Sequence, residues 1–224
     1  NTKLFHYRNK KLILTDAGEI LKKRFLTMTI GEYAIINPLA TYLHHHPDTN
    51  IHLHYGNTDQ LLRMLDCGEI NVALVEGNYS KTKYEHAKFS TQDYIAVCAA
   101  SHQFQGDRPK TLSNLINERL LIRETGSGTR NILEESLRIR GMELSDFTHY
   151  IEVENMHSII GLLKQDCGIA FLYKIAVEEE LKQGILQEIH LEDFKMQHDF
   201  DMLWEKGSIY SEKYTTICKE FVNV

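Results

Sequence analysis

Arg123 to Arg130 read RETGSGTR, which packs three hydroxyls (Thr125, Ser127, Thr129), two glycines (Gly126, Gly128) and three charges into eight residues. The stretch follows the apolar run Leu120-Leu121-Ile122 and precedes Ile132, Leu133 and Leu137, whose spacing is helical. It therefore lies at a strand-to-helix junction, where free backbone N–H groups and the positive end of the helix dipole favour an anion. A plain turn with Ser127 as N-cap accounts for the same residues. Other chemistry finds less support. His44-His45-His46, with His52 and His54 nearby, suggests a metal, but consecutive helical residues point in different directions and no Cys or carboxylate pattern completes a zinc spacing. Only His52 and His54 share a strand face, so no metal ligand is assigned. G-x-S-x-G, G-x-x-x-x-G-K-[ST] and G-x-G-x-x-G are all absent, and GSGT lacks the lysine of a phosphate loop. No catalytic residue and no cofactor is assigned. An enzyme holding phosphate at a helix N-terminus stays open as the alternative.

The elements that must position this junction alternate along the chain. Ile51 to Tyr55 reads as a half-buried strand, and Asn57 or Thr58 can cap a helix carrying Leu61, Leu62, Met64 and Leu65. Asn71 to Val75 is the next strand, which makes a βαβ unit with a parallel sheet. Tyr84 to Ser90 and Tyr94 to Ala100 read as two further strands, and SHQFQGDRPK (Ser101 to Lys110) as a boundary. A second series follows: strand Arg119 to Arg123, helix from about Ser127 to Arg140, strand Tyr150 to Glu154, helix Met156 to about Gln165, strand Gly168 to Tyr173 and helix Ala176 to Lys182. An apolar run Ile185 to Ile189, a strand Phe200 to Trp204 and a helix Ser211 to Val222 close the pattern of two α/β lobes.

Charge separates one end from the rest. Residues 1–24 carry seven Lys or Arg against Asp16 and Glu19, a balance of +5, whereas the other 200 carry 18 basic and 29 acidic groups, a balance of −11. A basic arm ahead of an acidic body is expected where one end meets nucleic acid and the body does not. No run approaches the roughly 18 apolar residues of a membrane span, and the first residues have no secretory pattern, so a cytoplasmic protein without membrane contact is expected. Cys67, Cys98, Cys167 and Cys218 form no CxxC pair and are expected as buried free thiols.

LFHYRNKKLILTDAGEILKK resembles the wing and the start of the linker helix of LysR-type transcriptional regulators. TIGEYAIINPLATYLHHHPD with GNTDQLLRMLDCGEINVALVEG resembles the first half of that family's effector-binding domain, and RETGSGTR with GLLKQDCGIAFLYKIAVEEELKQG the second half. The resemblance implies an α/β fold of two Rossmann-like lobes of periplasmic-binding-protein type, with an effector cleft between them, preceded by a wing and linker-helix remnant. On this reading residues 1–14 are the wing, 15–23 a linker helix short by about 30 residues for a coiled-coil-like pairing, 24–101 and 205–224 the first lobe, and 102–204 the second. Arg8, Lys10 and Lys11 would meet the DNA backbone. The family implies a small-molecule effector, organic or inorganic and anionic; promoter DNA bound through a helix-turn-helix ahead of residue 1; and a homodimer, or a tetramer when full length. The helix Asn57 to Asp66 would pack on a partner's second lobe. A solute-binding protein of the same fold, or a small-molecule enzyme, is the alternative.

In such a cleft the first lobe would offer Thr27, Met28, Thr29 and Ile30, because strand-end hydroxyls ahead of a helix can hold an anion. Thr29 as a simple cap of a helix from Ile30 to Leu43 is compatible with that role. The second lobe would offer Thr125, Gly126, Ser127 and Thr129, with Arg130 as a ligand charge or a structural ion pair. Asn155, His157 and Ser158 open the next helix and could add polar contacts. Glu76 and Tyr173 follow strands and are included, although a surface-loop reading fits them equally well.

Overall fold

The structure is a computed structural model that describes residues 5–8, 11–14, 23–45, 47, 51–104 and 106–222. Strands β1 (Phe5–Arg8) and β2 (Lys11–Leu14) form an antiparallel hairpin of their own, with Arg8 opposite Lys11. Lys10 and the expected linker, apart from Lys23, lie outside the described residues.

Among the described residues nine strands make one mixed sheet. At one end, β3 (Lys23–Thr27) lies parallel between β4 (His52–Gly56) and β5 (Ala73–Val75). At the other, β7 (Arg119–Ile122) lies parallel between β8 (His149–Glu152) and β9 (Ile169–Tyr173). Two long antiparallel strands join the ends, β6 (Tyr84–Ala99) and β11 (Met196–Glu205), and β10 (Leu186–Glu188) pairs with β6. Short parallel groups with long crossovers are what alternating strands and helices dictate.

The α-helices of the described residues are α1 (Ile36–His45), α2 (Thr58–Asp66), α3 (Gly128–Ile139), α4 (Met156–Lys164), α5 (Glu178–Lys182) and α6 (Ser211–Val222). Asn57 caps α2 through a reciprocal box: its side chain accepts from the Gln60 N–H, and the Gln60 side chain accepts from the Asn57 N–H. Helices cover both faces of the sheet because successive side chains of a strand point to opposite sides. Along β6, Tyr94, Ala96 and Cys98 enter the large core with Leu133, Phe171 and Phe200, while Ile95 and Val97 pack with Leu121, Met156 and Ile160 on the other side. Phe221 of α6 meets Tyr42 of α1 at 5.2 Å between ring centroids.

Two expectations change. The two strands foreseen over Tyr84–Ala100 are one. Ser90 to Asp93 carries no Gly or Pro, and β11 pairs along the whole stretch from Tyr84 to Tyr94 with one irregularity at Phe200/Asp201. Burial switches inside the strand, from alternating over 84–93 to continuous over 94–99, as it passes from a two-strand ribbon to the centre of the sheet. The thiols also differ, for Cys98 and Cys218 are buried whereas Cys67 is exposed and Cys167 half-buried.

Candidate functional site

Four chain turns meet in the middle of the sheet, at the carboxyl ends of parallel strands, the place where open α/β sheets gather ligands. After β3 the chain passes Met28 and Thr29 and tightens into a π-turn over Ile30–Ala34, closed by the Ile35 N–H donating to the Ile30 carbonyl at 2.9 Å. After β5 comes Glu76, after β7 come Arg123 and Glu124, and β9 ends on Tyr173.

Glycines let these turns close on each other. A Cβ on Gly128, at the start of α3, would stand 2.2 Å from the Glu76 carbonyl oxygen, and one on Gly77 would stand 2.7 Å from the Gly128 Cα. Gly126 has φ of +90°, which the turn into α3 requires. Its carbonyl accepts from the Asp59 N–H of α2 at 3.1 Å, while the Thr58 hydroxyl donates to the Glu76 carbonyl at 2.8 Å.

Inside this contact lies a buried polar cluster. The Glu76 side chain is 1% exposed, and its Oε1 accepts from Thr29 Oγ1 at 2.9 Å and from Thr129 Oγ1 at 2.7 Å. The two hydroxyls are 3.4 Å apart. Tyr94 donates to the Thr129 carbonyl at 2.8 Å, and its ring meets that of Tyr173 edge-on. Arg123, 3% exposed, donates through Nε and Nη2 to Glu124 at 2.8 and 3.0 Å and points Nη2 at the Met28 sulfur. Asn57 Nδ2 donates to Glu124 from the other side at 3.3 Å. Four buried polar atoms have no hydrogen-bond partner among the described residues: Thr27 Oγ1, Glu76 Oε2, Arg123 Nη1 and Tyr173 OH. Interiors rarely tolerate such atoms, and their concentration at one place calls for an explanation.

The electrostatics follow from burial. Desolvation pushes the Glu76 carboxyl above the usual range against the two threonine hydrogen bonds, the Arg123 charge and the Thr27 hydroxyl, all of which favour the ionised form. Thr27 acts on Glu76 from close by without hydrogen-bond geometry. Burial likewise raises Tyr94 and Tyr173, and the Glu76 charge adds to both. A cavity of about 330 Å³ adjoins the cluster through Met28 and Glu124 and is also lined by Tyr55, Asn57, Gln60 and Asn155.

Of the residues singled out from sequence, Thr27, Met28, Thr29, Glu76, Thr129 and Tyr173 come together here, with Ser127 buried two residues before Thr129. Glu76 and Tyr173 are buried, so the surface-loop reading of both is corrected. Thr29 is helical and makes no capping bond, since the helix begins one residue earlier and its hydroxyl serves Glu76 instead. Ser127 stands at the N-cap of α3 without a side-chain capping bond. Ile30 faces the apolar core. Arg130 is paired, donating to Glu134 at 2.7 Å and Glu152 at 2.5 Å. Thr125 is exposed, Asn155 caps α4 by accepting from the Ser158 N–H, and His157 and Ser158 lie exposed on that helix. Sequence reading missed Arg123, Glu124, Asn57 and Tyr94. A charged pair directly behind the apolar run Leu120–Ile122 was the available signal for the first two.

Comparison with known proteins bears on this arrangement. Residues 25–219 match the profile of the LysR substrate binding domain. The HTH-type transcriptional regulator YeiE of Escherichia coli K12 is 27% identical over 180 residues, covering 80% of this chain and 59% of that protein, so the chain spans less than two thirds of that relative. Among solved structures, the regulatory domain of CcmR from Synechocystis PCC6803 in complex with 2-PG aligns with a TM-score of 0.77 at 16% identity over 90% of this chain and 95% of the other. The effector-binding domain of QuiR in complex with shikimate aligns at 0.71 and 14% identity over 90% and 96%. These likenesses show a shared fold.

Proposed function

The chain belongs to the LysR substrate-binding domain family, and we propose that it senses a small anionic metabolite in the cleft between its two lobes, as the effector-binding part of a LysR-type transcriptional regulator. One observation carries the reading. The turns after β3 and before α3 meet through Thr29 and Thr129, around buried polar atoms of Thr27, Arg123 and Tyr173 that lack partners among the described residues. A ligand oxyanion supplies what those donors lack. The complexes of CcmR with 2-PG and of QuiR with shikimate support a small organic ligand. Proposed contacts are Thr27, Met28, Thr29, Glu76, Arg123, Ser127, Thr129 and Tyr173, with Gly126 and Asn155 at the mouth.

An effector that binds one lobe arrangement better shifts the population toward it. In an oligomer that shift would change the spacing of DNA-binding heads, which is the proposed route to promoter control in the cytoplasm. The lobe boundary is best drawn inside β6 and β11, near residues 90–94 and 196–200, because β6 changes partners there. Pairing of two chains is supported by apolar exposure on α1 (Ile36, Leu43), β4 (Tyr55) and β8 (Tyr150, Ile151). The exposed face of α2 is polar, with Asp59, Gln60, Arg63 and Asp66, and is the weaker candidate. Arg8, Lys10 and Lys11 stand as proposed DNA-backbone contacts.

A thermal-shift screen of organic and inorganic anions tests the reading. Ligand at a hundred times its Kd stabilises by about 2.7 kcal/mol, and each kcal/mol is worth about 2–4 °C for a chain of this size, so a true effector shifts the melt by roughly 5–10 °C. Uniformly flat melts across carboxylates, phosphate esters and sulfur oxyanions would rule out an anion sensor.

A further inference from the structure

We propose that the site takes up one proton with each anion it closes on, and that Glu76 is the group that carries it. This rests on the anion-sensing reading above and adds how the site is regulated. Among the described residues the cluster holds one guanidinium, Arg123, and two carboxylates, Glu76 and Glu124. Arg123 is already neutralised by Glu124 through two hydrogen bonds. An arriving anion is thus a second uncompensated negative group beside Glu76, in an interior where like charges are poorly screened.

The hydrogen-bond pattern says where the proton goes. Oε1 of Glu76 is occupied by the Thr29 and Thr129 hydroxyls, so it is the acceptor oxygen. Oε2 is buried without a partner among the described residues. Protonated there, Glu76 becomes a fourth donor beside Thr27 Oγ1, Arg123 Nη1 and Tyr173 OH, and the like-charge repulsion is gone. The proton comes from solvent, and the O–H bond it forms on Oε2 then donates to the ligand oxygen. Around Glu76 stand Thr27 at the end of β3 and Thr29 after it, Thr58 on α2, Tyr94 on β6, Arg123 after β7, Thr129 on α3 and Tyr173 on β9, and of these only Arg123 is charged at neutral pH. Burial holds the carboxyl above its ordinary range, so the cost of protonating it near neutrality is lowered.

The experiment is isothermal titration of the full chain with sulfate and with shikimate, neither of which titrates between about pH 5.5 and 8.5. Titration in two buffers of different ionisation heat counts protons without any substitution. The proposal expects up to one proton taken up per anion, and an affinity that falls toward tenfold per pH unit once pH passes the value of free Glu76. Glu76→Gln, which keeps the amide as a permanent donor, should bind with affinity that changes less than about twofold over the same range. Anion binding with no proton uptake and a flat pH profile in the unsubstituted chain overturns the proposal and leaves the anion reading intact; that result would indicate that the ligand displaces Glu124 from Arg123. No heat and no melt shift with any anion at any pH would instead overturn the anion reading itself. Should Glu76→Gln fail to fold, the two-buffer count on the unsubstituted chain still decides.

Discussion

Substituting Gly128 by alanine adds one carbon where the two lobes touch. That Cβ would stand 2.2 Å from the Glu76 carbonyl oxygen and 2.6 Å from Thr58 Oγ1, at least about 1 Å inside the separation at which non-bonded atoms attract. One of the collision partners is backbone, so α3 must retreat. Retreat stretches the Thr58 bond to the Glu76 carbonyl and the Thr29–Glu76–Thr129 bridge. Overpacking costs about 1–3 kcal/mol and each lost hydrogen bond about 0.5–1.5 kcal/mol net, so Gly128→Ala should lower stability by roughly 2–4 kcal/mol. At about 2–4 °C per kcal/mol this is a melting drop of roughly 5–15 °C. Gly161 provides the matched control, for it lies exposed in the middle of α4 and a Cβ there meets nothing within 4 Å. Alanine at that position should stabilise by about 0.5–1 kcal/mol. Urea unfolding of both variants against the unsubstituted chain gives the comparison. A Gly128→Ala chain as stable as the Gly161→Ala chain would refute the close lobe contact.

Glu76 supplies a pH test. Its carboxyl is raised in the folded state, so its stability contribution is fully present below the unfolded value and is lost as pH rises through the folded one; the urea midpoint of the unsubstituted chain should therefore fall relative to Glu76→Gln as pH rises above the ordinary carboxylate range, and a constant difference would contradict the burial argument. Arg130→Ala breaks pairs with Glu134 and Glu152, whose side chains are 43% and 47% exposed, so it should cost about 1 kcal/mol or less and leave the anion melt shift intact; loss of that shift in a folded variant would return Arg130 to the ligand. Thr29→Val removes a donor to Glu76 and should weaken anion affinity about tenfold or more, whereas Ser127→Ala, which removes no capping bond, should alter stability by under about 0.5 kcal/mol. Titration and unfolding of the two variants side by side check both expectations.

The order of elements was readable because its signals are local. Asn57 and Gln60 form a box three residues apart, and Leu120-Leu121-Ile122 is a buried parallel strand of the apolar kind. What was not readable depends on partners distant in sequence. Ser90–Asp93 stays extended because β11, more than a hundred residues on, pairs across it. Glu76 looks like a loop carboxylate until α3 arrives over Gly77 and Gly128 and shuts water out. Arg130 advertises a charge next to hydroxyls, yet Glu152 comes from another strand to pair it, and the guanidinium that does face the cluster is Arg123, at the other end of the same octapeptide.

The most direct measurement is a crystal structure of the full chain grown with the anion that gives the largest melt shift. Ligand density is expected between the Thr29 and Thr129 turns, with oxygens in hydrogen-bond reach of Arg123 Nη1, Tyr173 OH and Thr27 Oγ1. Density confined to the cavity of about 540 Å³ lined by Lys174, Phe194 and Lys195, with Thr29 and Thr129 still in contact with each other, would contradict it.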